Sequence, residues 1–328
     1  MSIIDPEIKR TQNQASMKAP KISVTSESFS FHPVLREELL SSFPGAKFRE
    51  DKSKLSKEEL LEFLKDSDGA IVGLDPMDDE VLSRLPKLKM ISKYGVGLNN
   101  LDLHAMESRG VQLGWTGGVN KEAVSEIAVA QMINIARNIS SSRDLLRSGK
   151  WVKNGGRQLS ELTIGVIGVG HIGSEVIRKL MVFGPQILAC DIVSKKDFLE
   201  PFGIPQVGHE EIYKSCDIIT LHVPLDESTQ NMIHKETFEN FRPESILINT
   251  ARGGLVNELD LQEALKSGPL LGAAMDVFEE EPNTTHPLFQ LPNFFPTPHI
   301  SGNSNQAILN MGRSAIEHLR NFFSKDSQ

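Results

Sequence analysis

The sequence predicts an α/β protein with two domains, each built around a parallel sheet. A chain of 328 residues is longer than one ordinary domain and suits two. From Lys21 onward, short apolar runs alternate with amphipathic segments, which is typical of parallel strands covered by helices on both faces. Aromatic residues make up only 6% of the chain, and this scarcity favours alternating strands and helices over an all-β sandwich.

The first alternating series begins at Lys21. Buried strands are expected at residues 21–24, 68–73 and 88–92. Ser56, with Glu59 three residues later, has the pattern of a capping box and predicts a helix that continues to Lys65. The third strand leads into a glycine-rich loop, Lys93-Tyr94-Gly95-Val96-Gly97.

A longer helix and a second series follow. The helix begins near Glu122, because apolar residues recur there at helical spacing: Val124, Ile127, Ala128, Met132, Ile135 and Ala136. Such a helix could link two domains or pack against a second copy of the chain. Further strands are expected at residues 163–168, 186–191, 217–223, 245–249 and 271–276. A last helix, from Asn305 to about Phe323, is expected to return to the first domain.

These elements divide the chain into a flexible N-terminal extension, residues 1–20, and two domains. Residues 122–302 contain the near-continuous apolar strands of a Rossmann doubly wound parallel sheet. Residues 21–121 and 303–328 form a smaller, discontinuous domain, which we expect to be a flavodoxin-like α/β unit.

Composition excludes several classes of function. The net charge is −8, and without a dense cluster of Lys and Arg it argues against a nucleic-acid partner. No run approaches the roughly 18 apolar residues of a membrane span, and residues 1–20 lack the apolar core of a signal peptide. Cys190 and Cys216 lie in apolar strand-like runs, which are more typical of core residues than of a disulfide or metal pair. No metal site is predicted, and a cytoplasmic location is expected.

A glycine fingerprint indicates a dinucleotide site. Gly168-Val169-Gly170-His171-Ile172-Gly173 follows an apolar strand and precedes a plausible helix, residues 174–180. Gly168 would permit a tight turn, Gly170 would let the backbone approach a pyrophosphate, and Gly173 would allow close packing of helix on strand. The helix N-terminus would then offer amide donors and a favourable dipole to the phosphates.

An acidic residue indicates which dinucleotide is bound. Asp191 ends the next strand, where a carboxylate accepts hydrogen bonds from ribose hydroxyls and repels a 2′-phosphate. The predicted cofactor is therefore NAD rather than NADP, although Lys195 and Lys196 follow closely and weaken that preference. The alternative is a turn of the same shape that binds no dinucleotide.

Three charged side chains, Arg252, Glu281 and His299, lie downstream of the fingerprint. Each follows an apolar strand, and strand ends of a parallel sheet share one edge, so the three are expected to gather there. Arginine binds a carboxylate bidentately, and histidine exchanges a proton because its pKa lies near neutrality. A carboxylate beside the histidine orients the ring and favours its protonated form. Together they predict hydride transfer to and from an anionic carbonyl compound.

Each of these residues also has an ordinary structural explanation. A lone arginine is usually a solvated surface charge, residues 279–281 could be an acidic loop, and a histidine after proline is often structural. Their order along the chain and their positions at strand ends favour a functional role for the three together.

These segments resemble the D-2-hydroxyacid dehydrogenase family, and most closely its D-3-phosphoglycerate dehydrogenase branch. The similarity runs from about Asp68 to His318. It is carried by residues 93–100, 168–173 with Asp191, 249–254, 276–282 and 297–300. The resemblance implies an NAD-dependent oxidoreductase that interconverts a D-2-hydroxy acid and its 2-keto acid. It also implies the short form of the family, without regulatory domains, and a homodimer formed largely through the NAD domain near Glu122.

The resemblance further implies roles for individual residues. Catalysis is assigned to Arg252, Glu281 and His299. Cofactor contacts are expected from Val96, Gly168, Gly170, His171, Ile172, Gly173, Asp191, Val223, Pro224, Thr250, Ala251, Asp276, His299 and Ser301. Substrate contacts are expected from Lys93, Tyr94, Gly95, Val96, Gly97, Arg252 and His299. In this family the backbone amides of the loop 93–100 hold the substrate carboxylate, so the smaller domain is expected to be the substrate domain.

The chain departs from the family pattern around the substrate loop. Asn99 stands where most members have Asp, Lys93 replaces the usual Arg, and Ser301 replaces a usual Gly. Trp115-Thr116-Gly117-Gly118 stands where Thr-Pro-Gly is common. No catalytic group is lost. The sequence does not decide whether the substrate is the 3-phosphoglycerate/phosphohydroxypyruvate pair or a small acid such as hydroxypyruvate or glyoxylate.

Two other functions are compatible with parts of this pattern. Formate dehydrogenase shares the fold but has Gln in place of the Glu partner of the histidine, and Glu281 argues against it. A corepressor-like protein that senses NADH would bind the dinucleotide with little turnover. An intact set of Arg252, Glu281 and His299 does not exclude that second alternative.

Overall fold

The computed structural model describes residues 19–325, so the predicted extension, residues 1–20, lies almost wholly outside the described residues. The described residues form two compact units, one comprising residues 19–116 together with residues 312–325, the other comprising Gly117–Met311. The predicted boundaries stood at residues 121 and 303. Gly118 explains part of the difference, because a Cβ at this position would lie 2.6 Å from the ring of His171, which belongs to the second unit.

The smaller unit contains a five-stranded sheet in which all the pairings are parallel. The strands are β1 (Ile22–Val24), β2 (Lys47–Phe48), β3 (Gly69–Val72), β4 (Met90–Lys93) and β5 (Gln112–Gly114). Their order is β2-β1-β3-β4-β5, which is the flavodoxin-like order that the sequence predicted. Of these strands, β2 and β5 were not predicted.

Five helices before Thr116 cover this sheet. They are α1 (Glu27–Ser30), α2 (Pro33–Ser42), α3 (Lys57–Leu64), α4 (Asp79–Ser83) and α5 (Leu103–Ser108). The predicted capping box is present at α3, where the Ser56 hydroxyl accepts from the backbone N–H of Glu59 and the Glu59 carboxylate accepts from that of Ser56. Leu60, Leu61 and Leu64 of the same helix are buried in the core of this unit.

The larger unit contains a six-stranded parallel sheet. The strands are β6 (Thr163–Ile167), β7 (Gln186–Cys190), β8 (Ile218–Leu221), β9 (Ser245–Asn249), β10 (Leu270–Met275) and β11 (Phe294–Pro296). Their order is β11-β10-β9-β8-β6-β7, and Gln206 adds a single parallel bridge to Ala189 on the outer side of β7. The bridge at Gln206, followed by β7, β6, β8, β9 and β10, corresponds to strands 3, 2, 1, 4, 5 and 6 of the Rossmann fold. The predicted fold class is therefore confirmed.

Alternate side chains of these strands enter two different cores. Ile187 and Ala189 of β7 pack in one cluster with Ile246 and Ile248 of β9, whereas Leu188 packs in the other. Because successive side chains of a strand point to opposite faces, the two clusters lie on the two sides of the sheet. Both faces are thus buried, as the continuous apolar runs indicated.

Helices cover both faces of this sheet. They are α6 (Lys121–Ala136), α7 (Ile139–Arg147), α8 (His171–Met181), α9 (Lys196–Leu199), α10 (His209–Ser215), α11 (Lys235–Glu239) and α12 (Glu258–Ser267). Helix α6 packs against α8 and β9 through the face that its sequence predicted, with Ile127 only half-buried. The last helix, α13 (Asn305–Lys325), contains the boundary between the units. No helix between residues 19 and 325 has the length and apolarity needed to span a bilayer.

Candidate active site

The three predicted catalytic residues follow three neighbouring strands of the larger sheet. In the register of the sheet, Met275 of β10 lies beside Asn249 of β9 and beside Pro296 of β11. The strands therefore end at one level, and the loops that carry Arg252, Glu281 and His299 leave the same edge. Ligands of open α/β sheets bind outside this carboxyl edge.

Glu281 and His299 form a close pair. His299 Nδ1 lies 2.6 Å from Glu281 Oε2, and Glu281 Oε1 accepts a hydrogen bond from the backbone N–H of Phe278 at 2.8 Å. The bond to Glu281 raises the pKa of His299 above its ordinary value, against an opposing effect of burial. Burial favours the neutral form of Glu281, but the bonds from His299 and Phe278 outweigh it, and the pKa of Glu281 is lowered. With the carboxylate on Nδ1, His299 presents Nε2 as its proton-exchanging atom.

The backbone of His299 is held in an unusual conformation. Its φ is 53°, in the left-handed region that non-glycine residues seldom occupy. The N–H of His299 donates to Asp276 O at 2.9 Å, and the carbonyl of His299 accepts from Asn303 Nδ2 at 3.1 Å. Such a conformation persists where its surroundings determine it, and it is found most often at functional sites.

Asp276 organises the loop that carries His299. Its carboxylate accepts from the hydroxyl of Thr297 at 2.6 Å and from the backbone N–H groups of Ile300 and Ser301, both at 2.8 Å. Only 2% of the surface of Asp276 is exposed. The family resemblance implies a cofactor contact for Asp276, and that role stays a prediction; its three bonds to the His299 loop were not predicted.

Arg252 lies beside this pair in a half-buried position. Burial lowers the pKa of its guanidinium and the charge of Glu281 raises it, so the group stays cationic near neutral pH because its ordinary pKa is far higher. Asn249, the last residue of β9, fixes the turn: its amide donates to Arg252 O at 2.9 Å and accepts from Ala251 N–H at 3.0 Å. Asn249 was noted as part of the motif, but this supporting role was not predicted.

The glycine fingerprint has the geometry that a dinucleotide needs. Gly168 has φ 91°, and a Cβ there would lie 2.5 Å from the carbonyl of His222. A Cβ at Gly173 would collide with the carbonyl of Gly168, so the close approach of helix to loop requires glycine. At Gly170 no atom lies within 4 Å of a Cβ position, which leaves space above the N-terminus of α8. No side chain caps that terminus, so its amides are available to phosphates.

Asp191 lies next to this loop, as the sequence predicted. Its Oδ2 accepts from the backbone N–H of Val169 at 2.7 Å, and its Oδ1 accepts from that of Val193 at 3.0 Å. Lys195 Nζ lies 3.8 Å from Oδ2. The carboxylate is thereby fixed beside the fingerprint with lone pairs left for a diol. These residues fit a dinucleotide.

The other predicted cofactor residues of the larger unit differ in exposure. His171 and Pro224 are exposed, Ile172 and Val223 are half-buried, and Thr250, Ala251 and Ser301 are buried. The hydroxyls of Thr250 and Ser301 are enclosed, and neither has a hydrogen-bond partner in the described part of the chain. Buried polar groups are normally bonded, so these two hydroxyls are suited to a ligand that enters at the strand ends.

The predicted substrate loop belongs to the smaller unit, at the carboxyl end of β4. Lys93 is buried there, and its ammonium donates to Gly73 O and, at 2.8 Å, to Asn100 Oδ1. The amide of Asn100 also donates to Asp75 O at 2.6 Å. Lys93 and Asn100 thus join the loop after β3 to the loop after β4. Direct contact of Lys93 with substrate stays a prediction; its bonds identify it as a support of the loop.

The remaining residues of the substrate loop have mixed exposure. Tyr94 is buried and its ring packs edge-on against Phe29. Gly95 has φ 124°, a conformation that glycine adopts readily. Val96 and Gly97 are half-buried, and Val96 O accepts from the indole N–H of Trp115 at 3.0 Å. No group of three potential metal ligands occurs among residues 19–325.

Comparisons with known proteins identify the family. A family model described as the NAD binding domain of the D-isomer specific 2-hydroxyacid dehydrogenases matches residues 129–301. A D-3-phosphoglycerate dehydrogenase from Methanocaldococcus jannaschii is 36% identical over 270 residues, which cover 81% of this chain and 52% of that protein. A glyoxylate reductase from Korarchaeum cryptofilum is 35% identical over 278 residues, covering 82% of this chain and 83% of that one. The chain belongs to the D-isomer specific 2-hydroxyacid dehydrogenase family.

A solved structure gives the same result for the fold. The D-lactate dehydrogenase of Aquifex aeolicus, complexed with NAD and lactic acid, superimposes with a TM-score of 0.82 at 26% identity, covering 93% of this chain and 97% of that chain. The cofactor prediction is confirmed: NAD is the cofactor of the matched domain. The chain spans only about half of the matched phosphoglycerate dehydrogenase.

The open space at Gly170 leads to a test of the cofactor site. Gly170→Val should leave the melting temperature nearly unchanged, because no atom lies within 4 Å of a Cβ at this position, but it should weaken NADH binding about tenfold or more by obstructing the phosphates. Gly208 supplies a matched control, since it too is an N-cap glycine with negative φ and no atom within 4 Å of a Cβ. Titration of NADH fluorescence would decide, and equal affinities for both variants would contradict the assignment.

Proposed function

We propose that the protein is an NAD-dependent dehydrogenase that interconverts a D-2-hydroxy acid and its 2-keto acid. The observation that carries this proposal is the 2.6 Å contact between His299 Nδ1 and Glu281 Oε2, beside Arg252 and at the strand edge of the NAD domain. A proton donor, its oriented carboxylate and a fixed cation are the groups that reduction of an anionic carbonyl compound requires.

The three residues divide the work as follows. Bound NAD supplies the acceptor for the hydride of the hydroxyl-bearing carbon. His299 Nε2 removes the hydroxyl proton during oxidation and returns it during reduction. Glu281 stabilises the imidazolium that forms, and Arg252 binds the substrate carboxylate and the developing oxyanion. The roles of the other predicted cofactor and substrate residues rest on the same proposal.

The substrate is either the phosphorylated pair or a small acid such as hydroxypyruvate or glyoxylate. Similarity to glyoxylate reductases over 83% and 82% of their lengths supports the small acids. The similar D-3-phosphoglycerate dehydrogenases support the phosphorylated pair over about half of their lengths. The phosphorylated and the small keto acids share the carboxylate and the adjacent carbonyl on which the proposed mechanism acts.

NADH oxidation with a panel of keto acids tests the function. The panel comprises hydroxypyruvate, glyoxylate, pyruvate, 2-ketoglutarate and phosphohydroxypyruvate, each repeated with NADPH, which the fixed carboxylate of Asp191 should exclude. We expect turnover with NADH on at least one acid, and a loss of about a hundredfold or more in kcat for His299→Ala with unchanged NADH affinity. NADH binding without turnover on the whole panel would instead favour a corepressor-like sensor.

The raised pKa of His299 predicts how the rate depends on pH. Reduction needs protonated His299, so kcat/KM for the keto acid should be high below the pKa of His299 and fall as pH rises through it. Oxidation should show the opposite trend. Glu281→Gln removes the charge that raises this pKa, so the falling limb of reduction should move to lower pH. If the rate of reduction falls at the same pH in the wild-type protein and in Glu281→Gln, a group other than His299 controls the pH dependence.

We infer further that the protein acts as a homodimer in the cytoplasm. Helix α7 buries none of its residues; Ile139 and Leu146 on this helix are 53% and 56% exposed, and Trp151 just beyond it is 78% exposed. Such a concentration of exposed apolar side chains marks an interaction surface. Both cysteines are buried and free, as in proteins of a reducing compartment.

Light scattering after gel filtration tests the dimer. The wild-type protein should elute with twice the mass of the chain, and Leu146→Glu combined with Trp151→Ser should elute as a monomer, because a charge in an apolar interface is unpaired. Leu259→Glu, at an exposed position of α12, is the control and should stay dimeric, since Leu259 is 73% exposed and far along the chain from α7. A monomeric wild-type protein would overturn the inference.

A further inference from the structure

A second carboxylate–histidine pair supports the segment that carries Glu281. Glu258, the first residue of α12, is buried, and its Oε2 lies 2.9 Å from His286 Nε2. Its other oxygen, Oε1, accepts from the backbone N–H of Glu279 at 2.9 Å. Both ends of the segment between residues 279 and 286 are therefore joined to one carboxylate.

The bonds of His286 determine its tautomer. Its Nδ1 accepts from the backbone N–H of Leu288 at 3.2 Å, and a backbone N–H is always the donor. Nδ1 therefore carries no proton, and Nε2 carries one and donates it to Glu258. The ring of His286 also stands 5.7 Å from that of Phe289, and Phe278 packs against Phe289 at 5.2 Å.

The peptide between Phe278 and Glu279 has little freedom in this arrangement. A Cβ at Gly253, next to Arg252, would collide with the carbonyl group of Phe278, so the two backbones are in direct contact. The N–H of Phe278 donates to Glu281, and the N–H of Glu279 donates to Glu258. Two consecutive amides thus connect Glu258 to the carboxylate that contacts His299.

We propose that Glu258, together with His286, is a positioning residue that fixes the 278–286 segment so that Glu281 stays in contact with His299 Nδ1. Its part in catalysis rests on the proposed function, but its effect on His299 does not. The charged groups around His299 are Glu281, Asp276 and Arg252. The bonds of Glu258 go to His286 and to the N–H of Glu279, so we expect its effect on His299 to pass through Glu281.

Titration of His299 by NMR tests this proposal without requiring activity. Glu258→Gln keeps one side-chain oxygen but replaces the other with an NH₂ group, which cannot accept a hydrogen bond. The variant therefore loses its bond either to His286 or to the N–H of Glu279. The pKa of His299 should then move toward its ordinary value, in the direction expected for Glu281→Gln. The double variant should titrate like Glu281→Gln alone, because a residue that acts through Glu281 has no effect once the carboxylate is gone.

Glu263→Gln is the matched control, since it makes the same substitution at an exposed position on the same helix. It should leave the pKa of His299 unchanged. An unchanged His299 titration in folded Glu258→Gln, or an additional shift in the double variant, would overturn the proposal. His286→Asn keeps the bond of Glu258 to Glu279 and should shift His299 less in the same direction. If Glu258→Gln does not fold, His286→Asn decides the question. An unchanged pKa of His299 in His286→Asn would then contradict the proposal.

Kinetics separates this inference from the proposed function. Glu258→Gln should lower kcat for keto acid reduction about tenfold to a hundredfold, with NADH affinity unchanged and the falling limb of the pH profile at lower pH. A wild-type protein without turnover on any keto acid would contradict the proposed function and leave the NMR comparison valid. Wild-type turnover with the same pH profile in Glu258→Gln would contradict the positioning role alone.

Discussion

The site depends on the parallel register of β9, β10 and β11. Asn249, Met275 and Pro296 lie side by side at the ends of these strands, and neighbouring strands are only about 4.8 Å apart. Groups distant in sequence therefore leave the sheet within reach of one another. Arg252 lies three residues after the end of β9, and His299 lies three residues after the end of β11. Glu281 lies six residues after the end of β10, and its side chain contacts His299.

The charges of the site influence one another through Glu281. This carboxylate raises the pKa of His299 and opposes the effect of burial on the pKa of Arg252, so its position influences the pKa of both neighbours. A carboxylate with such effects must not move, because an electrostatic interaction in a partly desolvated site changes steeply with distance. This explains why Phe278 N–H holds one oxygen of Glu281 while His299 holds the other.

Sequence alone predicted the fold class, the long strands and the three loops, because each rests on a pattern that several residues repeat. Three short strands, β2, β5 and β11, were missed, because each has only two or three residues and a mixture of buried and exposed positions. The equally short β1 was predicted, since all three of its residues are buried and belong to an apolar run. Supporting contacts were missed for a different reason. Asp276 and Glu258 bond to backbone groups distant in sequence, and His286 contacts the distant side chain of Glu258; no local spacing encodes such a partner. The acid at the start of α12 had a local signal, since acids favour a helix N-terminus, but that signal does not reveal what the carboxylate binds.

The departures from the family pattern become understandable from their contacts. Ser301 replaces a usual glycine, yet its backbone does not have positive φ, so its conformation does not require glycine, and its N–H still bonds Asp276. Trp115 donates to Val96 O, and Lys93 bonds Gly73 O and Asn100. The side chains of Trp115 and Lys93 thus support a loop, and none of the three replacements changes Arg252, Glu281 or His299. Changes in these supports are expected to affect the substrate loop, whereas the three charged residues at the strand ends stay the same. Divergence in this chain is therefore expected in the choice of acid rather than in the reaction.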